Sequence, residues 1–264
     1  MFGAILVLLL GGCQVATPAS ATQEMAKFKA KVMSADYRGD LPELARLRDE
    51  LAQWPKDREL AFLARYWGGF ASWRIAMNGA NHQMPKEEQV VNLKNAASEF
   101  YRAMQAKDDF ADAYAAAAGV NGWLANTYNG PTPDRPSMME RVYLAYALLT
   151  KATTLEPTNP RVLWIKGGFI QYAPGGSVER AIATYKQQRD EAERRGVDPA
   201  SPLPDWGKPE ALMSLANAHS LQTPPDLATA REEANEALKI VPDWSYVRDT
   251  LIPRIDQKMS PQVH

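Results

Sequence analysis

A short pattern of alanines recurs along this 264-residue chain and constrains its fold more than any other feature. Each copy has an alanine, a large apolar residue or another alanine four positions later, a further alanine three positions after that, and then a residue that stops a helix. The regular copies begin at Ala96, Ala145 and Ala230 and stop at Asp108, Pro157 and Pro242, and a looser copy begins at Ala181. Small residues at helical spacing let two helices approach closely, so the pattern predicts a series of paired helices.

The pattern resembles the second helix of a tetratricopeptide repeat (TPR), a unit of two antiparallel helices about 34 residues long. In the unit that begins at Pro160, Leu163 and Gly167 occupy positions where the family favours a large apolar residue and a glycine. The resemblance implies an all-α, tetratricopeptide-like α-solenoid of antiparallel helix pairs, in which neighbouring units bury each other's apolar faces. The near absence of period-2 alternation, which is typical of strands, favours the same fold class.

A narrower resemblance concerns three motifs, namely a Gly-Gly turn in YAPGG, a Trp-Gly connector in LPDWG and the final segment PDWSYVRDTLIPRI. These motifs are similar to those of a group of exported bacterial TPR lipoproteins of unknown activity. We place the TPR-like helical domain at residues 23–258 and a tail at residues 259–264. The last helix, from Trp244 to Lys258, is expected to cap the end of the stack, with a kink at Pro253.

The beginning of the chain, MFGAILVLLLGGC, predicts where the protein is located. Its last four residues match the bacterial lipobox, in which the signal peptide is removed just before a cysteine that carries lipid. Cys13 is the only cysteine in the chain, so it cannot form an internal disulfide and its place after an apolar run needs another reason. We therefore predict a lipoprotein signal peptide at residues 1–12, lipidation at Cys13 and a tether at residues 13–22.

The predicted location is the bacterial cell envelope, with the lipid in the outer membrane and the protein facing the periplasm. Gln14 follows the cysteine, and a residue other than Asp at that position favours the outer membrane. The apolar run is shorter than the roughly 20 residues that span a bilayer, so it does not predict a membrane-spanning helix. The alternative is a secretory signal cleaved after Ala19-Ser20-Ala21, which would leave a soluble periplasmic protein.

Composition and motifs favour a binding protein over an enzyme. The chain has 30 basic and 31 acidic residues, a balance that gives no electrostatic attraction for nucleic acid. It lacks the HExxH, GxSxG and phosphate-loop motifs of common enzyme classes. His82, His219 and His264 are scattered along the sequence, and no metal or cofactor is expected. We predict a non-catalytic protein whose partners are an unidentified protein or peptide and, through the lipid, a membrane.

The resemblance also implies a binding groove. In peptide-binding members of the family, the first helix of each unit lines the concave face with its second, fifth, ninth, twelfth and thirteenth positions. In this chain those positions supply aromatic and polar candidate binding residues, namely Arg65, Trp73, Trp123, Arg161, Trp164, Gln171, Tyr172 and Asn217. Aromatic rings would give such a groove contact area, and arginines would pair with the carboxylates or carbonyls of a peptide.

Two other interpretations of the aromatic residues stay open. In a small-ligand-binding lipoprotein of the type associated with uptake systems, Trp73, Trp123 and Trp164 would converge on an enclosed pocket. In a purely structural spacer they would be packing residues, and substitutions in the groove would change stability alone. The insertion around residues 128–135 is a further candidate, because long Pro/Gly-rich loops inside compact repeats are often functional. The main hypothesis is a lipid-anchored scaffold or adaptor that binds its partner through the concave groove.

Overall fold

The computed structural model describes residues 18–54, 59–128 and 133–260, and this part of the chain is almost entirely helical, with no β-strand. The helices are α1 (Pro18–Arg38), α2 (Leu41–Ala52), α3 (Ala61–Asn81), α4 (Lys86–Ala106), α5 (Ala111–Thr127), α6 (Arg135–Leu155), α7 (Pro160–Tyr172), α8 (Val178–Arg195), α9 (Lys208–His219), α10 (Leu227–Ile240) and α11 (Ile252–Met259). Consecutive helices pack as pairs, and each pair packs on the next. The predicted all-α solenoid is confirmed. Cys13, the predicted signal peptide and His264 lie outside the described residues.

The alanines of the recurring pattern lie where helices meet. All of them are buried, namely Ala96, Ala103, Ala145, Ala152, Ala181, Ala230, Ala234 and Ala237. Gly167 serves the same purpose in α7, because a Cβ atom there would lie 2.3 Å from the ring of Tyr185 in α8. Small side chains therefore set the close approach of the paired helices, as the pattern predicts.

The start of α1 differs from the sequence prediction. The helix begins at Pro18, so residues 18–22, which were predicted to belong to the tether, are helical instead. Proline suits the first turn of a helix because its missing N–H would have no partner there. Ala21 is already buried, at 4% exposure. Packing of this first turn on the rest of the domain therefore extends the helix beyond its predicted start.

The C-terminal cap is helical, as predicted, but Pro253 acts differently from a simple kink. A π-helical turn at Val247–Leu251 precedes α11, and the N–H of Ile252 donates to the carbonyl of Val247. Proline has no N–H for the carbonyl four residues earlier, so a locally widened turn accommodates it. The cap buries Trp244 and Ile255 against α9 and α10.

The first helix pair contacts the last part of the chain. The ring of Tyr37 in α1 lies 5.0 Å from that of Trp244, and the Tyr37 hydroxyl donates to Glu210 Oε1 at 2.5 Å. The Ser245 hydroxyl donates to the carbonyl of Tyr37 at 3.2 Å. The solenoid is therefore wound tightly enough for its first helix to touch α9 and the cap.

Candidate functional site

The odd-numbered helices α3, α5, α7 and α9 form the inner layer of the solenoid and run parallel to one another. Near their N-terminal ends, Asp112 of α5 pairs with Arg161 of α7 at 2.7 Å. Near their C-terminal ends, a Cβ atom on Gly122 of α5 would lie 3.3 Å from Phe169 of α7. This register puts the N-terminal ends of the inner helices on one side of the inner face and the C-terminal ends on the other.

The connector, residues 197–207, begins as an exposed segment, and its last residues, 204–207, pack against the N-terminal half of the inner face. Its Trp206 is only 6% exposed, and the Trp206 ring lies 5.7 Å from that of Phe70 and 5.3 Å from that of Trp164. Lys29 of α1 holds the connector from the other side through an ion pair with Asp205 at 2.7 Å. The end of the connector is thus part of the core.

Backbone carbonyls of the connector accept hydrogen bonds from the inner face. Trp67 Nε1 donates to the carbonyl of Pro202 at 3.0 Å, and Arg161 Nη1 donates to that of Trp206 at 3.3 Å. Aromatic contacts combined with hydrogen bonds to a backbone are what the groove residues predict for a bound peptide. In the N-terminal half of the inner face, the segment held in this way belongs to the chain itself.

Arg161 is therefore fixed inside the protein. Its Nε donates to Asp112 Oδ1 at 2.7 Å, and the two side chains are 8% and 5% exposed. Asn159 Nδ2 donates to the other carboxylate oxygen at 3.1 Å. Burial alone would lower the pKa of Arg161, but the Asp112 carboxylate outweighs burial and raises the pKa above its ordinary value. Arg161 stays charged and paired, and it is a structural residue.

Trp73 and Trp164 also belong to the core. Trp73 is 1% exposed and its ring lies 5.6 Å from that of Trp164. Trp164 Nε1 donates to the Ser214 hydroxyl of α9 at 2.9 Å. Trp123 makes no ring contact with either of them in the described part of the chain. The three tryptophans that a ligand pocket would require therefore do not converge.

Two other predicted groove residues have partners outside the groove. Arg65 pairs with Glu99 of α4 at 3.1 Å, so it bridges the second helix pair. Gln171 Oε1 accepts a hydrogen bond from the Tyr185 hydroxyl of α8 at 3.1 Å. Both side chains join an inner helix to the outer helix of its own pair.

The C-terminal half of the inner face differs because large side chains there are exposed. Trp123 near the end of α5, Tyr172 at the end of α7 and Leu221 after α9 are 39%, 65% and 44% exposed. Gly168 lies one turn before Tyr172, and no atom would lie within 4 Å of a Cβ there. Asn217 Nδ2 joins α9 to α7 by donating to the Tyr172 hydroxyl at 2.6 Å. We call this region, formed by Trp123, Gly168, Tyr172, Asn217 and Leu221, the open end.

The C-terminal cap adds two cations to the open end that sequence reasoning missed. Arg254 Nη2 donates to Asn217 Oδ1 at 2.6 Å, and Lys258 Nζ donates to the carbonyl of Ser220 at 2.8 Å. Burial raises the pKa of the Tyr172 hydroxyl, and the nearby charge of Arg254 opposes that shift. The cap lies outside the repeat units, so no repeat position pointed to these residues.

Glu210, in the first turn of α9, joins the inner face to α1. Burial raises the pKa of its carboxyl to about 7, and the hydrogen bond from Tyr37 offsets only part of this effect. Its second oxygen, Oε2, is buried without a hydrogen-bond partner. The contact between α1 and α9 therefore contains a carboxyl group that is easier to bury protonated than ionised.

This pKa predicts how stability depends on pH. The folded-state pKa of Glu210 lies above the ordinary value of 4.5, so the contribution of this group is fully present below pH 4.5 and is lost as pH rises through about 7. We expect Glu210→Gln to match the wild type in free energy of unfolding near pH 4.5 and to exceed it at pH 8. Urea unfolding at both pH values measures this, with exposed Glu232→Gln as the control. An equal difference at both pH values would contradict the prediction.

Other kinds of site find no support in the described residues. Within residues 18–54, 59–128 and 133–260 no group of three or more His, Cys, Asp or Glu side chains is placed to hold a metal ion. No helix in these ranges is long and apolar enough to cross a membrane. An open surface depression of about 660 Å³ lies between α10 and α11, and a cavity of about 230 Å³ lies between α2, α3 and α4. Neither of them is lined by a residue of the open end.

Comparison with known proteins shows which solved structures share this fold. No protein-family model and no curated protein matches the sequence. Among solved structures, the chain is similar to a thermophilic TPR protein from Thermus thermophilus, with a TM-score of 0.52 and 18% identity over 90% of this chain and 98% of the other. It is also similar to the HusA haemophore from Porphyromonas gingivalis, with a TM-score of 0.49 and 17% identity over 79% of this chain and 96% of the other.

The likeness to the Thermus protein, together with the paired helices, shows a TPR-like fold. The TPR resemblance inferred from the alanine pattern is therefore confirmed at the level of the fold. At 18% identity the likeness extends to the fold and no further.

Proposed function

We propose that this protein is a non-catalytic scaffold that binds a protein or peptide partner at the open end of its inner face. One observation supports this proposal above all others. Trp123, Tyr172 and Leu221 are exposed near the C-terminal ends of α5, α7 and α9, and Gly168 leaves free space one turn before Tyr172. In the N-terminal half, by contrast, Trp67, Phe70 and Trp164 contact the connector. Exposed aromatic residues on rigid helices are a common signature of partner-binding surfaces.

The contacts of the connector support this proposal. It is an irregular, proline-containing segment whose Trp206 packs among aromatic rings and whose carbonyls accept hydrogen bonds from Trp67 and Arg161. The open end offers the same combination, with rings from Trp123 and Tyr172 and polar groups from Asn217 and the cap. A short peptide laid across the C-terminal ends of α5, α7 and α9 would meet all of these groups.

We also propose that the lipobox anchors the protein to the outer membrane through Cys13. Pro18 lies five positions after Cys13, and a chain of that length spans at most about 18 Å. In α1, Tyr37 near the C-terminal end contacts Glu210 of α9, and Lys29, nearer the N-terminal end, contacts Asp205 of the connector. The N-terminus of α1 therefore lies on the connector side. In this arrangement the connector side faces the membrane, and the open end faces the periplasm.

The anchor is tested by Cys13→Ser. We expect this variant to lose incorporation of labelled palmitate and to leave the membrane fraction, because the thiol that would carry the lipid is gone. A variant that still pellets with membranes would contradict the anchor. A wild type that is soluble after export would support the alternative of a cleaved secretory protein.

The binding surface is tested by photo-crosslinking in the source cells. Leu221 at the open end and Leu203 in the connector are matched controls for each other, since they are 44% and 46% exposed. With p-benzoylphenylalanine at position 221 we expect a discrete crosslinked adduct, which Trp123→Ala or Tyr172→Ala reduces about tenfold. At position 203 we expect none. An adduct that forms equally at positions 221 and 203, or one that neither Trp123→Ala nor Tyr172→Ala reduces, would contradict the proposal.

A further inference from the structure

Glu210 joins the first helix of the solenoid to α9 through a single side-chain hydrogen bond. The side chain is 5% exposed, and its Oε1 accepts from the Tyr37 hydroxyl of α1 at 2.5 Å. Its Oε2 is buried without a hydrogen-bond partner in the described part of the chain. A buried carboxylate needs a cation or several donors, because the removal of its charge from water is costly. This site therefore suits a protonated carboxyl group and not an ionised one.

No described cation is left to compensate an ionised Glu210. The positive charge that acts on it belongs to Arg74 of α3, whose Nε already donates to Asp36 Oδ1 at 2.5 Å. The Asp36 carboxylate acts on Glu210 in the opposite sense, and Glu210 in turn acts on the buried Tyr66 hydroxyl of α3. The other ionisable groups around this contact are the exposed His82 and Asp249 and the ion pairs Lys29–Asp205, Asp112–Arg161 and Glu193–Lys208.

The same stretch of α1 also meets the C-terminal cap. The Tyr37 ring lies 5.0 Å from the ring of Trp244, and the Tyr37 carbonyl accepts from the Ser245 hydroxyl at 3.2 Å. We call the contact formed by Tyr37, Glu210, Trp244 and Ser245 the clasp. Because one residue of α1 makes all of these contacts, a charge on Glu210 bears on the attachment of α1 to both α9 and the cap.

We propose that the clasp is operated by a proton: it is closed while Glu210 is protonated, and when Glu210 ionises α1 separates from α9 and the cap while the rest of the solenoid stays folded. The clasp involves neither the open end nor its partner. Burial raises the pKa of Glu210 from 4.5 to about 7, so closure is favoured below pH 4.5 and is lost as pH rises through about 7. The ratio of closed to open molecules should fall about a hundredfold over this range.

Two spin labels across the clasp measure its opening. Ser34→Cys in α1 and Thr250→Cys in the cap place the labels at exposed positions, in a full chain in which Cys13→Ser removes the only other cysteine. Double electron–electron resonance should give one short distance at pH 4.5 and an added population at longer distance at pH 8. We expect Glu210→Gln to keep the short distance at both pH values, because its neutral amide does not ionise.

A second pair of labels separates opening of the clasp from unfolding. Ser98→Cys in α4 and Thr150→Cys in α6 are also exposed and lie away from the clasp, so their distance should be the same at pH 4.5 and pH 8. A clasp distance in the wild type that does not change with pH would overturn the proposal, and so would an equal change in Glu210→Gln. Broadening of both label pairs would indicate general unfolding and would overturn the clasp as a local device, while the proposed function would stand.

Discussion

Trp206→Ala is expected to lower the free energy of unfolding by about 3–5 kcal/mol, the range typical of buried aromatic residues. Trp206 is 6% exposed and packs against Phe70 and Trp164, so its removal leaves a cavity between the connector and the inner face. Urea unfolding followed by circular dichroism measures the loss. The effect is unusual for a residue in a proline-rich connector, where substitutions are normally tolerated.

Leu203→Ala is the matched control for Trp206→Ala, because it lies in the same connector but is 46% exposed. We expect it to change the free energy of unfolding by no more than about 0.5 kcal/mol. If Trp206→Ala were as mild as Leu203→Ala, the connector would not be part of the core, and the N-terminal half of the inner face would be free for a partner.

Arg161→Met is expected to lower the free energy of unfolding by about 3–5 kcal/mol, because it leaves the Asp112 carboxylate buried without its cation. The two side chains are 8% and 5% exposed, so water cannot replace the lost partner. Asn159 keeps its hydrogen bond to Asp112 but carries no charge. Thermal and urea unfolding measure the loss.

Two further variants isolate the cause. Arg102→Met removes an arginine that pairs with Glu99 while 53% exposed, and we expect a change of less than about 1 kcal/mol. The double variant Asp112→Leu/Arg161→Met removes both charges and should recover much of the stability that Arg161→Met loses. If Arg161→Met unfolds like the wild type, Arg161 is available for binding, as the groove positions alone predict.

The fold could be predicted because its signal is local and repeated. Small residues at helical spacing, such as Ala145 and Ala152, allow two helices to pack closely wherever they occur. Each helix pair then buries its apolar face against the neighbouring pair alone. The start of α1 at Pro18 was missed because the packing of Ala21 on the domain is a tertiary effect. The form of the cap was missed for a similar reason. A helix can accommodate a proline by a kink or by a widened turn, and tertiary packing decides between them.

The candidate site could be predicted only in part. Repeat positions place the candidate residues on α3, α5, α7 and α9, but they assume that the inner face is empty. The folding of residues 197–207 into it is a contact between segments far apart in sequence, and it covers Arg161 and Trp164 while leaving Trp123 and Tyr172 exposed. Arg254 was missed because it belongs to the cap, which lies outside the repeat units, so no repeat position corresponds to it.

The central claim is that one half of the inner face holds the fold together and the other half binds a partner. A side-by-side measurement of Tyr172→Ala and Trp206→Ala tests it most directly, with melting temperature and crosslinking from position 221 read for each variant below its melting transition. We predict that Tyr172→Ala loses most of the crosslink and melts close to the wild type, because its ring is 65% exposed. Trp206→Ala should melt much lower and keep the crosslink. Retention of the crosslink by Tyr172→Ala, with a melting temperature as low as that of Trp206→Ala, would contradict the division of the inner face.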